Sequence, residues 1–295
     1  MLDQKVAVIT GASSGIGAAL AQVLAENGIT VVLAARRKAK LDEIALRIVR
    51  KGGKAVPLKC DVSVREDAED LIHHTIQELG RIDILVNNAG RGHFASVEDT
   101  TDTMILNMFE VNVFSLWYTT RPAVAYMKKQ RSGHIINVAS MAGKLGYPYN
   151  SAYVAAKHAC VGFTHALRLE LAETGVHATV VCPGGVLTEW ATVTEGGPIL
   201  PLFSESGPMI KQIAQKRNVS LPRIEGVLTA DVVAHKIFHC IQNPEPELYT
   251  HTGAKEFAVL AAQDRSSAEQ QQMPIVLGER AVYERLRADR EGKSS

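Results

Sequence analysis

Cysteine is scarce in this chain and never clustered. Cys60, Cys160, Cys182 and Cys240 are the four in 295 residues, and none belongs to a C-x-x-C or Cys/His group. That argues against a zinc site or a disulfide framework and suits a reducing compartment. An excess of one charge is also missing: 32 Lys+Arg face 31 Asp+Glu, for a formal net charge of +1. So balanced a chain has no long-range field to hold a polyanion, which argues against nucleic acid as its main partner. No apolar run approaches the roughly 18 residues that a bilayer span needs. No charged start with an apolar core precedes KVAVI at 5–9, which already reads as a buried strand. The expectation is therefore a soluble cytoplasmic protein without a secretory signal. Internal repeats are absent.

What is present is ordinary globular composition, 46% hydrophobic and 21% charged. A chain of this length buries roughly three quarters of its unfolded surface, so it needs neither metal nor disulfide to fold. Short apolar runs at 5–9, 29–34, 54–59, 82–86, 134–138 and 176–182 alternate with helical patterns at 15–27, 38–51, 64–79, 101–129 and 150–173. Runs that are apolar throughout suit strands buried on both faces of a parallel sheet. Ser63-x-x-Glu66 and Ser96-x-x-Asp99 resemble capping boxes. The alternation predicts an α/β fold, a doubly wound parallel sheet of Rossmann-like form with right-handed crossovers, as a single domain over 1–250. It stops near Pro183. Residues 183–228 are rich in Gly and Pro, and a substrate lid is expected at about 188–226. A helix restarts at Thr229 and ends before Pro244, and PELYT at 246–250 can add a last strand. Residues 251–295 form a C-terminal extension, read as a peripheral helix or two with a frayed or disordered end.

The first strand runs straight into TGASSGIG at 10–17. Gly11 allows a tight turn, Gly15 lets a pyrophosphate approach the backbone, and Gly17 lets the helix pack on the strand. The free N–H groups of that helix attract an anion. By itself the pattern is equally a turn that packs helix on strand. The second strand then ends Ala34-Ala35-Arg36-Arg37, with no carboxylate to bond a ribose 2′-hydroxyl or repel a 2′-phosphate. Arg36 can stack on adenine and pair with a 2′-phosphate, and Ser13 can donate a hydroxyl to it, which favours NADP over NAD. Arg37 is the second candidate. The alternative is that both arginines are solvated residues starting a helix.

Tyr153 and Lys157 stand four apart on a predicted helix and so share one face. An ammonium beside a phenol favours phenolate and lowers its pKa from ~10, so the Tyr can give or take a proton. Tyr-x-x-x-Lys alone is also a common solvated pair.

The order of motifs adds what no single motif supplies. TGASSGIG at 10–17, CDV at 60–62, NNAG at 87–90, Asn112 in VNVF, Ser140 in INVAS, YVAAK at 153–157 and PGGVLT at 183–188 follow one another in this sequence. On these the chain resembles the short-chain dehydrogenase/reductase family, in its compact dehydrogenase branch, over about residues 5–250. The resemblance implies Tyr153 as general acid/base, with Lys157 lowering its pKa and bonding the nicotinamide ribose. It implies Ser140 as the donor that polarises the substrate oxygen, and Asn112 as the holder of a water linking Lys157 to solvent. It implies a cofactor site of Gly11, Ser13, Ser14, Gly15, Ile16, Gly17, Arg36 and Arg37. Asp61 would bond the adenine amino group, with Val62 beside it. Asn88, Ala89 and Gly90 would line the ribose side, and Pro183 and Gly184 would pass the nicotinamide. Val186 and Thr188 would hold its carboxamide.

In the family the neighbourhoods of His93 and Phe94, and of Met141, Leu145 and Tyr147, border the substrate pocket, which hints at a rather apolar carbonyl or alcohol. Core packing is the alternative for each. His73-His74 reads as surface, and no metal is expected. Trp117 and Tyr118 read as packing residues on a helix that forms subunit interfaces in many members, so a homodimer or homotetramer is expected. The reading is an NADP(H)-dependent oxidoreductase acting on a carbonyl/secondary-alcohol pair, in the direction of reduction. Its rivals are a cofactor-sensing protein of the same fold without turnover, and an isomerase or dehydratase using the same Tyr and Lys.

Overall fold

The computed structural model describes residues 4–192, 194–196 and 200–291. The six apolar runs become strands β1 (Val6–Thr10), β2 (Thr30–Ala35), β3 (Ala55–Lys59), β4 (Ile84–Asn87), β5 (Gly133–Val138) and β6 (Val176–Cys182). Two short strands, β7 (Val186–Leu187) and β8 (Leu228–Thr229), pair with each other, and β9 (Glu247–Tyr249) closes the series. The main sheet has seven strands in the order β3-β2-β1-β4-β5-β6-β9, and every pairing is parallel. This is the doubly wound, Rossmann-like α/β fold, as a single domain.

Side chains alternate across a strand, so each strand feeds two cores. Ala7 and Ile9 of β1 join one core with Leu20 and Leu24 of α1 (Gly15–Glu26), Leu41 and Ile44 of α2 (Lys38–Arg50), and Val233 and Ile237 of α8 (Ala230–Gln242). Val6 and Val8 join the other, with Leu71 and Ile72 of α3 (Arg65–Leu79), Met127 of α5 (Ser115–Gln130) and Leu167 of α6 (Ser151–Glu170). Both sheet faces are covered, which is why the strands carry no polar alternation. The strand order reverses between β1 and β4, and a crevice opens outside the carboxyl ends of the strands there.

A buried polar ladder joins α5 and α6 to the centre of that sheet. Asn87 and Asn137 face each other across β4 and β5, and Asn87 Nδ2 donates to Asn137 Oδ1 at 2.9 Å. Thr119 of α5 donates to Asn87 Oδ1 at 2.7 Å, and Asn137 Nδ2 donates to Thr164 of α6 at 2.9 Å. Satisfied buried bonds of this kind fix a helix in one place over the sheet, and α6 carries Tyr153 and Lys157.

Several local expectations fail. The pattern over 101–129 is helical throughout but not uniformly α: α4 (Asp102–Phe109) passes through a π-helical turn at Glu110–Phe114 into α5. Neither capping box caps a helix. Ser63 gives its hydroxyl to Asp61 at 2.7 Å, while α3 starts at Arg65 after Val64. Ser96 donates to Asp99 at 2.8 Å within the preceding turn, and the cap of α4 is Thr101, which accepts from Met104 N. The last helices are not peripheral either. In α9 (Ala254–Gln263), Phe257, Ala258 and Ala261 are buried in one core with Leu116, Met141, Cys160 and Val180. The last helix, α10 (Arg265–Glu291), lies along α7 (Leu200–Arg217), inside the segment expected to be a lid. Among the described residues no helix is long and apolar enough to cross a membrane.

Candidate active site

A cleft of about 750 Å³ runs along the carboxyl ends of the central strands. Of the residues singled out from the sequence, Gly11, Ser13, Ser14, Gly15, Ile16, Arg36, Arg37, Asp61, Val62, Asn88, Ala89, Gly90, Ser140, Tyr153, Lys157, Pro183, Gly184, Val186 and Thr188 all line it. Gly17 and Asn112 stand behind its wall.

The glycine loop is built for close approach. Gly11 has φ +65°, and a Cβ there would lie 2.8 Å from Ala89 Cα. A Cβ on Gly17 would lie 2.6 Å from Asn88 Nδ2 and 2.7 Å from Gly11 O. The Asn88 amide explains the crowding: it donates to Thr10 O at 3.0 Å and to Gly11 O at 3.3 Å. Thr10 Oγ1 accepts from the Asn88 and Ala89 N–H groups, so the loops after β1 and β4 are sewn together. The first N–H groups of α1 are left without a side-chain cap and with no acid in the first turn, which leaves that end receptive to an anion.

At the β2 end of the crevice the two arginines take different partners. Arg37, and not Arg36, meets Ser13: its Nε and Nη2 donate to the hydroxyl at 3.1 and 2.9 Å, and Nη2 also donates to Ser14 at 2.8 Å. Arg36 is mostly exposed and lies 3.9 Å from Asp61. Glu189 bridges Lys40 and Arg37, each at 2.8 Å, and these two cations hold its carboxyl down at about 2. Asp61 also accepts from the N–H and hydroxyl of Ser63.

At the other end, one turn of α6 presents Tyr153 and Lys157 on the same face. Lys157 is buried; its Nζ lies 5.6 Å from the centre of the Tyr153 ring and donates to Val138 O at 3.0 Å. Ser140 makes a hydrogen bond with Tyr153 and caps the short turn Met141–Gly143 by accepting from Ala142 N. Burial dominates the titration of this pair, against the expectation of a phenol lowered by its lysine. It pushes Tyr153 up to about 12, with the Ser140 bond pulling the other way, and it pushes the Lys157 ammonium down. Desolvation penalises both charged forms, so the pair rests as a neutral phenol, the form able to donate a proton.

Asn112 owes its position to the π-helical turn. Its Nδ2 donates to Met108 O at 3.0 Å and to Arg91 O at 3.2 Å, and its Oδ1 accepts from Arg91 N at 3.3 Å. A Cβ on Gly90 would sit 3.0 Å from Asn112 Oδ1 and 3.5 Å from Lys157 Nζ, so these three residues are neighbours. π-turns of this kind are frequent at functional sites.

Met141 and Tyr147 line the cleft, whereas His93, Phe94 and Leu145 are buried outside its lining. Other lining residues carried no sequence signal. Trp190 has its ring centre 5.3 Å from that of Tyr153, and Leu202 and Glu279 come from α7 and α10. His251 supports the site from behind. Its Nδ1 accepts from Gly184 N at 3.0 Å and its Nε2 pairs with Gly185 O at 2.9 Å, which holds the turn after Pro183. That fixes the proton on Nε2.

The sequence pattern of the short chain dehydrogenases matches residues 5–196. The chain belongs to the short-chain dehydrogenase/reductase family. It is therefore an oxidoreductase with a nucleotide-binding Rossmann-like domain. It is 39% identical over 188 residues to a D-beta-hydroxybutyrate dehydrogenase of Cupriavidus necator, covering 64% of this chain and 73% of that one. A short chain dehydrogenase/reductase of Burkholderia phymatum, solved in complex with NAD, superposes with a TM-score of 0.77 at 28% identity, covering 90% of this chain and 95% of the other. An alcohol dehydrogenase of Thermococcus sibiricus, complexed with 5-hydroxy-NADP, has a TM-score of 0.69 at 27% identity, covering 84% and 96%. Both cofactor types thus occur among the chain's structural neighbours.

Proposed function

We propose that this dehydrogenase is an NADP(H)-dependent carbonyl reductase working on a carbonyl/secondary-alcohol pair. The convergence of Tyr153, Lys157 and Ser140 on a cleft that begins at the glycine loop carries the reading. The residues fit a dinucleotide: a glycine turn that side chains would fill, the uncapped start of α1, and basic groups at the end of β2. Gly11, Ser13, Ser14, Gly15 and Ile16 would hold the pyrophosphate, Gly17 would keep the turn tight, and Asp61 and Val62 would flank the adenine. Arg37 and Arg36 would hold a 2′-phosphate. Asn88, Ala89 and Gly90 would line the ribose, and Pro183, Gly184, Val186 and Thr188 the nicotinamide. When bound, that cofactor supplies the hydride. Ser140 hydrogen-bonds the substrate oxygen, and Tyr153 gives its phenolic proton to that oxygen as it becomes an alkoxide. Lys157 steadies the phenolate that remains, and Asn112 keeps a path from Lys157 to solvent for the returning proton. We read 188–226 as the substrate lid over a 1–250 core, with α9 and α10 of the C-terminal extension, 251–295, completing its roof; residues 292–295 of that extension lie outside the described residues.

The family's NAD-bound members make NAD the second reading, but β2 ends without the carboxylate that NAD selection uses. The part-exposed rings of Phe114, at the end of the π-turn, and Trp117, on α5, support a homo-oligomer, and four buried free thiols suit the cytoplasm.

The experiment is NADPH and NADH consumption against a carbonyl panel, with the alcohol quantified. We expect alcohol to appear one for one with NADPH oxidised, and NADPH to outperform NADH. NADPH that binds but is not oxidised by any carbonyl in the panel would favour a cofactor-sensing role. Product formed without net oxidation would favour an isomerase.

A further inference from the structure

Glu279 is a buried acid that the proposed reaction does not use. It lies outside the residues matched by the family pattern, on the last helix, and it lines the same cleft as Ser140, Tyr153 and Lys157. It is only 7% exposed. No described residue donates a hydrogen bond to its carboxylate, and the cleft it lines carries the apolar or aromatic side chains of Met141, Tyr147, Trp190 and Leu202 along with polar ones such as Asn150. Tyr147 feels the charges of both Glu279 and Tyr153, so the phenol at 147 stands near each of them.

Its position is built and held. Beside it, Gly278 lets the helices cross closely, since a Cβ there would lie 2.6 Å from Ile210 Cγ1. Further along α10, Tyr283 stacks on Tyr149 with ring centres 3.9 Å apart and accepts a hydrogen bond from Ser96 N at 3.0 Å. Val282 is buried with Phe94 and Leu202. Arg285 pairs with Glu205 of α7, and Arg287 lies 3.4 Å from Asp99. Gln272 ties the start of the helix to Gly146 O at 3.2 Å. A fixed helix thus holds a carboxyl with no protein donor over the cleft. Burial pushes that carboxyl up to about 7. Such a group costs stability wherever packing alone is at stake, and it becomes favourable once a ligand supplies the missing donor.

We infer that Glu279 is a substrate-recognition residue, selecting carbonyl substrates whose far end carries a hydrogen-bond donor, a hydroxyl or an ammonium, and rejecting those that end in a carboxylate. The inference rests on the reductase reading only for where the reacting carbonyl sits. A donor group satisfies the carboxyl, whereas at a pH above its titration a second carboxylate brings like charges together there. Free keto and hydroxy acids are accordingly disfavoured.

The test uses methyl ketones of graded chain length ending in methyl, hydroxyl, ammonium or carboxylate. Each is assayed by kcat/KM with NADPH, and each corresponding alcohol by calorimetric Kd on NADP⁺-loaded protein. Wild type should favour the hydroxyl or ammonium end over the carboxylate end by at least ~10-fold at one chain length. E279L should bring that ratio to near one, and melt no lower than wild type because a buried unpaired carboxyl is gone. E279Q should keep part of the hydroxyl preference and lose both the ammonium preference and the exclusion of carboxylates. An ammonium favoured over a hydroxyl identifies a cationic substrate, and the reverse a neutral one. A wild type without discrimination, or a ratio unchanged in E279L, overturns the inference. If no ketone is reduced yet the Kd preference exists and vanishes in E279L, the subsite stands and the reductase reading falls.

Discussion

Glu189 sits where a 2′-phosphate would go to find its cations, since it already occupies both Lys40 and Arg37. A phosphate there must compete with the carboxylate for Arg37. Glu189→Gln should therefore tighten NADPH by a few-fold, about the size of a surface charge effect, and leave NADH nearly unchanged. Fluorescence titration of both cofactors at two salt concentrations checks this, and equal gains for NADPH and NADH would contradict it. The basic pair was legible in the sequence because β2 ends without an acid. Which arginine meets Ser13 was not, because the carboxylate that steers Arg37 comes from 152 positions away. The same holds for His251, whose contact with Gly184 spans 67 positions and leaves no local pattern. Tyr153 and Lys157 were legible as a pair, since i, i+4 spacing is a helix property. Their titration was not, because it is set by how completely the surrounding fold encloses them.

At the scale of elements, strands were read to within a residue or two because an all-apolar run has one plausible place in a parallel sheet. Helix 101–129 was legible as a helix, but the π-turn inside it was not. Its periodicity continues across Glu110–Phe114, and the extra residue that makes a π-turn there changes no local composition. The two capping boxes failed because Asp61 and Asp99 took the serine hydroxyls first. Strand β5 carries its own consequence for pH. His134 is buried, pairs with Thr179 Oγ1 through Nε2 at 2.9 Å, and faces His177 across the register of β5 and β6. Burial, with His177 adding to it, lowers its pKa to about 3 from 6.5. The unfolded chain then binds a proton between those values that the folded chain refuses. The stability held above about pH 6.5 is lost as pH falls toward 3, by at most ~1.4 kcal/mol per pH unit. Urea midpoints from pH 7 down to pH 4 should fall more steeply in wild type than in His134→Gln, and parallel curves would remove His134 from the acid response.

The whole molecule is a doubly wound sheet with α7 and α10 packed together beside its cleft. The sheet and the cofactor end of the cleft follow from motifs in order along the first two thirds of the chain. The roof of α7 and α10 does not, because its pairing joins segments with β8, α8, β9 and α9 between them and depends on contacts such as Tyr283 on Tyr149 and Gly278 against Ile210. On the proposed reading, substrate choice is a property of that roof, which is why the family could be read from sequence and the substrate could not. The proposed chemistry needs one proton, from one phenol, in a cleft that binds cofactor independently of it. The decisive measurement is therefore Tyr153→Phe beside wild type, reading both NADPH Kd and carbonyl reduction. Reduction should fall by at least ~10²–10⁴-fold, the usual worth of a general acid. The Kd should stay within a few-fold of wild type, because the ring remains. Turnover retained in the variant would contradict the assignment of Tyr153.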